Sequence, residues 1–120
     1  MARLESDVSH RDCDPDTDSG SIEHILPENP TAGWEGSISA SAWEAAAYRL
    51  GNLTLLESSA NRQVGNLGYE EKVAAYRKSG YALTRAIPEM APEEWTLPLL
   101  EKRQRQLADR AVRVWRADFA

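Results

Sequence analysis

Glu23 and His24 stand side by side in the short stretch Ser21-Ile22-Glu23-His24-Ile25-Leu26-Pro27. A carboxylate and an imidazole are side chains suited to moving protons near neutral pH. Neighbouring residues of a strand point to opposite faces, so the pair shares one centre only where the strand bends or ends. Pro27, which has no ladder N–H to give, marks such an end. Two groups are too few for a site. Asn52 and Asn61, nine residues apart, are candidates to complete it. Asn is poor at the start of a strand and only fair within a helix, so both positions call for a reason. Local reasons exist as well. Asn52 follows Gly51 and serves a turn, Asn61 serves as a cap, and His24 among Ile22, Ile25 and Leu26 serves as a satisfied core histidine.

The surrounding pattern supplies elements to hold these residues. Residues 21–27 read as a strand closed by Pro27, and 28–40 as a loop with Trp34 as its packing anchor. Ser41-Ala42-Trp43-Glu44 has the form of a capping box, opening a helix with Trp43, Ala46, Ala47 and Leu50 on one face and Gly51 as its stop. Leu53-Thr54-Leu55-Leu56 reads as a second strand, antiparallel to the first. Ser58 or Ser59 then starts a helix carrying Asn61, broken by Gly65 and Gly68. Tyr69 to Lys78 is a further helix with Val73 and Tyr76 inward. Residues 81–87 form a short helix, followed by a loop from Pro88 to Pro92. Thr96 caps the last helix, whose apolar face is Leu100, Leu107, Ala111, Val114 and Trp115. The fold class is α+β, mostly helical by count, and Trp43, Trp95 and Trp115 read as core residues.

Composition sets the limits. The chain has 120 residues, 42% of them hydrophobic, enough for one small domain with a real core. No run approaches the ~20 apolar residues of a membrane span, and the start does not read as a signal peptide. The single cysteine, Cys13, cannot build a disulfide framework, and a reducing, cytoplasmic setting fits best. The net charge of -5 argues mildly against nucleic acid as a partner. The charge is uneven: residues 1–19 carry a net of -4, and the last 25 residues a net of +3. Residues 1–20 read as a flexible acidic linker or tail, and 21–120 as the domain. His10 receives no role. Asp12, Asp14, Asp16 and Asp18 lack the Gly and Glu of a calcium loop and read as solvated.

Taken together, the strand with Glu-His, the strand opened by Asn52 and the helix with Asn61 resemble the HNH motif, the ββα-metal or His-Me finger. The strings IEHILP and RLGNLTLL, with Asn61, YEEK at 69–72, Trp95 and the Arg103-to-Trp115 pattern, resemble one HNH family more closely. It is the GmrSD C-terminal type, also found in SspE-like phage-defence effectors. The resemblance covers about residues 21–116. It implies a hairpin-plus-helix core with additional packed helices, and a metal-dependent DNA endonuclease that nicks or cuts. His24 matches the general base, Glu23 and Asn61 the ligands of one Mg²⁺ or Mn²⁺, and Asn52 the residue that orients the histidine or braces the hairpin turn. Lys72 matches a recurrent lysine, placed on a phosphate or on the helix surface, and Asn66 also recurs. Lys72, Arg62 and Arg103 are the candidate DNA contacts. Many HNH sites have Asp where this chain has Glu23, which puts metal preference in question. The implied partners are phage or modified DNA and an NTPase or sensor domain N-terminal in the same protein, with no membrane. Two other readings stand beside this one: a catalytically inactive HNH-scaffold interaction domain, and an HNH nuclease directed at RNA.

Overall fold

A computed structural model describes residues 4–5, 20–28, 34, 40–65 and 67–119, the side chains of 40, 41 and 117–119 excepted. Two strands pair antiparallel, β1 (Gly20–His24) and β2 (Leu53–Glu57), with Ser21 opposite Leu56, Glu23 opposite Thr54 and His24 opposite Leu53. Between them in sequence lies α1 (Ala40–Ala47), then a single 3₁₀ turn over Leu50–Asn52. After β2 come α2 (Ser58–Val64), α3 (Tyr69–Arg77), α4 (Ala82–Met90) and α5 (Leu97–Phe119). The result is the expected α+β fold: a hairpin followed by a helix that packs on both its strands, with further helices around it.

β1 stops at His24, short of the expected Pro27. From Ile25 onward the backbone bonds to Asn52 instead of to a strand partner. Ile25 N–H donates to the Asn52 carbonyl at 2.9 Å. The Asn52 carboxamide then pairs with both backbone groups of Leu26, accepting from its N–H at 2.8 Å and donating to its carbonyl at 3.0 Å. The same amide nitrogen donates to the Ala47 carbonyl at the end of α1 (2.9 Å), and Oδ1 also accepts from the Trp95 indole (3.1 Å). That bond satisfies the Ala47 carbonyl where α1 ends, three residues before Leu50. Strand exit, helix end and the tryptophan before α5 are thus tied by one fully buried side chain.

Gly51 has a different task from the helix stop read in the sequence. α5 crosses so close that a Cβ at this position would strike the Leu100 carbonyl oxygen and the Gln104 backbone nitrogen. Arg103 reaches back from α5, donating through Nη1 to the carbonyls of Gly51 (2.9 Å) and Leu53 (2.6 Å). The main core lies under this junction, with Ile25, Leu26, Trp34, Trp43, Leu56, Tyr76, Ile87, Trp95 and Leu100 packed together. Fully burying an aliphatic side chain of this kind stabilises by about 1.5–3 kcal/mol.

Several expectations need correction. α1 begins at Ala40, so Ser41 lies within its first turn. α4 runs through Pro88 to Met90, where a break was expected. The proline forgoes one hydrogen bond, but Ile87 and Pro88 are both buried, and Ala91 N–H closes the last turn on the Ile87 carbonyl. α5 does begin after Thr96, whose hydroxyl accepts from Leu99 N–H at 3.4 Å. Its inner face is narrower than the sequence suggested: Leu100, Arg103, Leu107 and Val114 are buried, and Trp115, one residue round the helix, is 61% exposed. Leu4 and Glu5 are an exception to the reading of 1–20 as a tail. Leu4 packs with Leu83 and Leu107, and the buried Glu5 carboxylate accepts from the N–H groups of Ala82 and Leu83, both at 2.8 Å. It satisfies orphan donors at the start of α4 and complements the helix dipole. The rest of that segment up to residue 19, with His10, Cys13 and the alternating aspartates, lies outside the described residues, as does Asn66.

Replacing Asn52 by Ala strands a buried N–H, two carbonyls and an indole N–H at once. The expected cost is at least about 3 kcal/mol, read from urea unfolding followed by tryptophan fluorescence. A loss below about 1 kcal/mol would show that the carboxamide is not the tie described.

Candidate functional site

On β1 the polar and apolar roles are reversed. Ile22 is 46% exposed, whereas Glu23 is only 3% exposed and points into the fold. Glu23 Oε2 accepts from the Tyr76 phenol at 2.7 Å and lies 3.2 Å from the Lys72 ammonium, both on α3. Lys72 itself is completely buried. Besides Glu23, its Nζ donates to the carbonyls of His24 (2.7 Å) and Ile25 (3.1 Å), and it faces the Trp34 ring at 5.8 Å. Burial pulls the Lys72 ammonium down from the usual lysine range, and the Glu23 charge opposes that shift. Burial pushes the Tyr76 phenol well up, and Glu23 adds to it, so the phenol stays a donor. Lys72 therefore bridges the carboxylate before His24 and the carbonyls on either side of the strand end. Its three donors are spent within the fold, so it is no phosphate contact; of the two places the sequence left open for it, it takes neither the DNA nor the helix surface.

His24, the last residue of β1, faces the other way. Its side chain is 23% exposed, packed edge-on against Tyr48 with ring centroids 5.7 Å apart. Its Nε2 lies 3.5 Å from Glu28 Oε1, and Glu28 Oε2 accepts from the Tyr48 hydroxyl at 2.8 Å. Asn61 arrives from α2. Its amide nitrogen donates to the Ser21 hydroxyl (2.8 Å) and the Ile22 carbonyl (3.0 Å), which anchors the helix to β1 and fixes the carboxamide plane. Ile22, Glu23, His24, Pro27, Glu28, Asn61 and Gly65 together line an open cleft of about 360 Å³. Gly65 ends α2 at φ 41°, a positive value that glycine adopts without strain.

Of the residues assigned roles from sequence, Glu23, His24 and Asn61 come together in this cleft. Asn52 does not line it; it acts from behind, by holding the backbone just after His24. Of the three candidate DNA contacts, Arg62 is exposed next to Asn61. Arg103 is 3% exposed and inside, like Lys72, with burial pushing its guanidinium down to about 10. Glu28, Tyr48 and Ser21 were given no role from the sequence, and Tyr76 was read only as an inward residue of its helix. The one local signal was Glu28, an acid directly after Pro27 where the strand must turn.

Among the described residues, no three His, Cys, Asp or Glu side chains are gathered as a metal cluster. The oxygen donors nonetheless fit a hard divalent ion. Glu23 Oε1 and Asn61 Oδ1 take no hydrogen bond from the described residues. Both residues line the cleft, Glu23 with only a sliver of its side chain exposed. Magnesium keeps several waters and is commonly held by one or two carboxylates, so a sparse oxygen set suits it.

The buried pair gives a direct test of this arrangement. Lys72→Met leaves the Glu23 carboxylate without its counter-charge, for an expected loss of about 3–5 kcal/mol. Lys72→Met combined with Glu23→Gln should recover part of that loss. Chemical denaturation of both variants decides: a single variant as stable as wild type would rule out a paired, buried charge.

No curated protein matches this chain. Residues 1–110 match the family described as GmrSD restriction endonucleases, C-terminal domain. With the hairpin, the helix and the cleft they enclose in place, and with nearly the whole chain covered, this protein belongs to the GmrSD restriction endonuclease C-terminal domain family.

Proposed function

We propose that this domain is a metal-dependent DNA endonuclease of the HNH type, and that the cleft at the end of β1 is its catalytic centre. The observation that carries the reading is the meeting of His24, Glu23 and Asn61 in one cleft of a restriction endonuclease domain, with Glu23 Oε1 and Asn61 Oδ1 taking no hydrogen bond from the described residues. Glu23 and Asn61 would hold one Mg²⁺ or Mn²⁺. Such an ion, when bound, stabilises negative charge on the phosphate and leaving oxygens. His24 takes a proton from the attacking water as that water attacks phosphorus. Lys72 and Tyr76 fix one oxygen of Glu23 and leave the other for the cleft. Asn52 is a positioning residue, setting the backbone from which the imidazole projects. Asn61 acts twice, since one end of its amide is tied to β1 while the other faces the cleft.

Binding would be electrostatic and largely independent of sequence. Arg62 neutralises a phosphate beside the cleft. On α5, Lys102, Arg105, Arg113 and Arg116 are all exposed. Their spacing of three, eight and three puts them on one side of the helix, opposite Leu100, Arg103 and Leu107, in a basic stripe interrupted by the exposed Asp109. Such a stripe suits contacts to the phosphate backbone, which position DNA without reading it. Selection of phage or modified DNA would then lie in an NTPase or sensor domain of the full-length, cytoplasmic protein. No helix among the described residues is long and apolar enough to cross a membrane.

One observation favours a second reading, a catalytically inactive interaction domain on the same scaffold: the Glu23 carboxylate is already engaged on one side by Lys72 and Tyr76. Supercoiled plasmid with Mg²⁺, Mn²⁺ or EDTA separates the two. Wild type should nick or cut it with metal, leaving 5′ phosphates, and His24→Ala should be slower by roughly 10²–10⁴-fold while remaining folded. Intact plasmid under every metal, from a folded wild type, supports the inactive scaffold, and cleavage of labelled RNA alone supports an RNA-directed enzyme.

The ligand assignment makes its own prediction. By calorimetry, Asn61→Ala should bind Mn²⁺ more weakly, and His24→Ala should bind it nearly as wild type. Equal affinity in wild type and Asn61→Ala would remove Asn61 from the ligand set.

A further inference from the structure

The carboxylate beside His24 on the solvent side of the cleft is Glu28, and its surroundings are built. Pro27 is held in place by the Trp43 indole, which donates to its carbonyl at 2.9 Å, and Leu26 by the Asn52 carboxamide. Glu28 is therefore launched from fixed backbone, four residues after His24. Its two oxygens have separate partners. Oε1 faces His24 Nε2 at 3.5 Å, and Oε2 accepts from the Tyr48 hydroxyl at 2.8 Å. Tyr48 follows α1 directly and also packs edge-on against the imidazole, so it steadies both members of the pair.

This arrangement distinguishes Glu28 from the oxygens that face the cleft unpartnered. Glu23 Oε1 and Asn61 Oδ1 take no hydrogen bond from the described residues, whereas Glu28 Oε2 accepts from Tyr48 and Oε1 faces an imidazole nitrogen. A carboxylate at Nε2 favours a proton on that nitrogen and leaves the lone pair on Nδ1. At 3.5 Å the pair is longer than a tight hydrogen bond, but catalytic hydrogen bonds are often long in the absence of substrate and shorten when it binds.

We propose that Glu28, braced by Tyr48, is a positioning residue for His24: it holds the Nε2–H tautomer and presents Nδ1 to the attacking water. The use of that nitrogen rests on His24 being the general base. In the step itself the water proton passes to Nδ1 as the oxygen bonds to phosphorus and the P–O3′ bond breaks, the leaving 3′ oxygen taking its proton from solvent. The Nε2 proton stays toward Glu28, whose charge faces the imidazolium until the extra proton is lost to solvent. Nothing else is consumed or reduced.

The chain has only two histidines, which makes the tautomer measurable. Long-range ¹H–¹⁵N spectra of the whole domain, with His24→Ala to assign the signals, should show His24 as the Nε2–H form. Glu28→Ala should give a mixture of tautomers. In steady-state cleavage, Glu28→Ala should lose roughly 10–100-fold in kcat, a part of the whole general-base contribution, with KM and Mn²⁺ affinity within about twofold. Glu28→Gln keeps an acceptor oxygen and should retain more activity than Glu28→Ala, and Tyr48→Phe should lose several-fold. An Nδ1–H form in wild type, or the same tautomer in Glu28→Ala, overturns the proposal. So does a marked loss of Mn²⁺ affinity in Glu28→Ala, which would make Glu28 a ligand. The spectra decide even if wild type cuts nothing, an outcome that would instead count against the nuclease reading.

Discussion

The carboxamide of Asn52 joins three pieces of chain that lie far apart in sequence. It completes the hydrogen bonding of Leu26 where β1 can no longer do so, closes the end of α1 at Ala47, and receives the indole of Trp95. Each of those groups is buried, and a buried backbone group without a partner costs about as much as a lost hydrogen bond or more. One short amide, able to give and accept two bonds each way, meets the whole demand. No apolar residue of similar size could. His24 sits one residue before the clamped segment, so the position of its ring follows from this buried, distant contact.

A second constraint acts on the other side of the strand. Placing Glu23 inside the fold requires an opposite charge and hydrogen bonds, and α3 brings both in Lys72 and Tyr76. An ion pair of this depth is weak evidence for stability, because the attraction is offset by desolvation of both charges. Its effect here is geometric. It turns one oxygen inward and leaves the other toward the cleft, and Lys72 also grips the carbonyls of His24 and Ile25. The acid and the imidazole are adjacent in sequence yet divided between two faces, and the interior network keeps them so.

Much of this was legible in the sequence, for identifiable reasons. Both strands, their antiparallel pairing and the five helices follow from apolar spacing and from Gly and Thr punctuation. The strings around Glu23-His24 and Asn52 pointed to the family to which the chain belongs. What escaped reading depends on tertiary neighbours. Nothing local indicates that Ile22 faces solvent while Glu23 faces the core; that choice is made by Tyr76 and Lys72, about fifty residues away. Lys72 and Arg103 look like surface cations until their carbonyl partners are known. Trp115 has helical spacing that suits a core, but the face of α5 that meets the 3₁₀ turn is too narrow to include it. Pro88 obeys the rule for a helix stop and is overridden by burial. Glu28 and Tyr48 carry no spacing signal for each other, because a loop and a helix separate them.

The proposed catalytic centre is the cleft bounded by Glu23, His24 and Asn61, where the domain would hold its metal and work on a phosphodiester. Anomalous diffraction from crystals soaked in Mn²⁺ tests it most directly. The account predicts a single strong peak in this cleft, at the ~2.1 Å coordination distance of a hard divalent ion from Glu23 Oε1 and Asn61 Oδ1, with His24 outside its ligand shell. A peak elsewhere on the protein, with the cleft empty at saturating Mn²⁺, would contradict it.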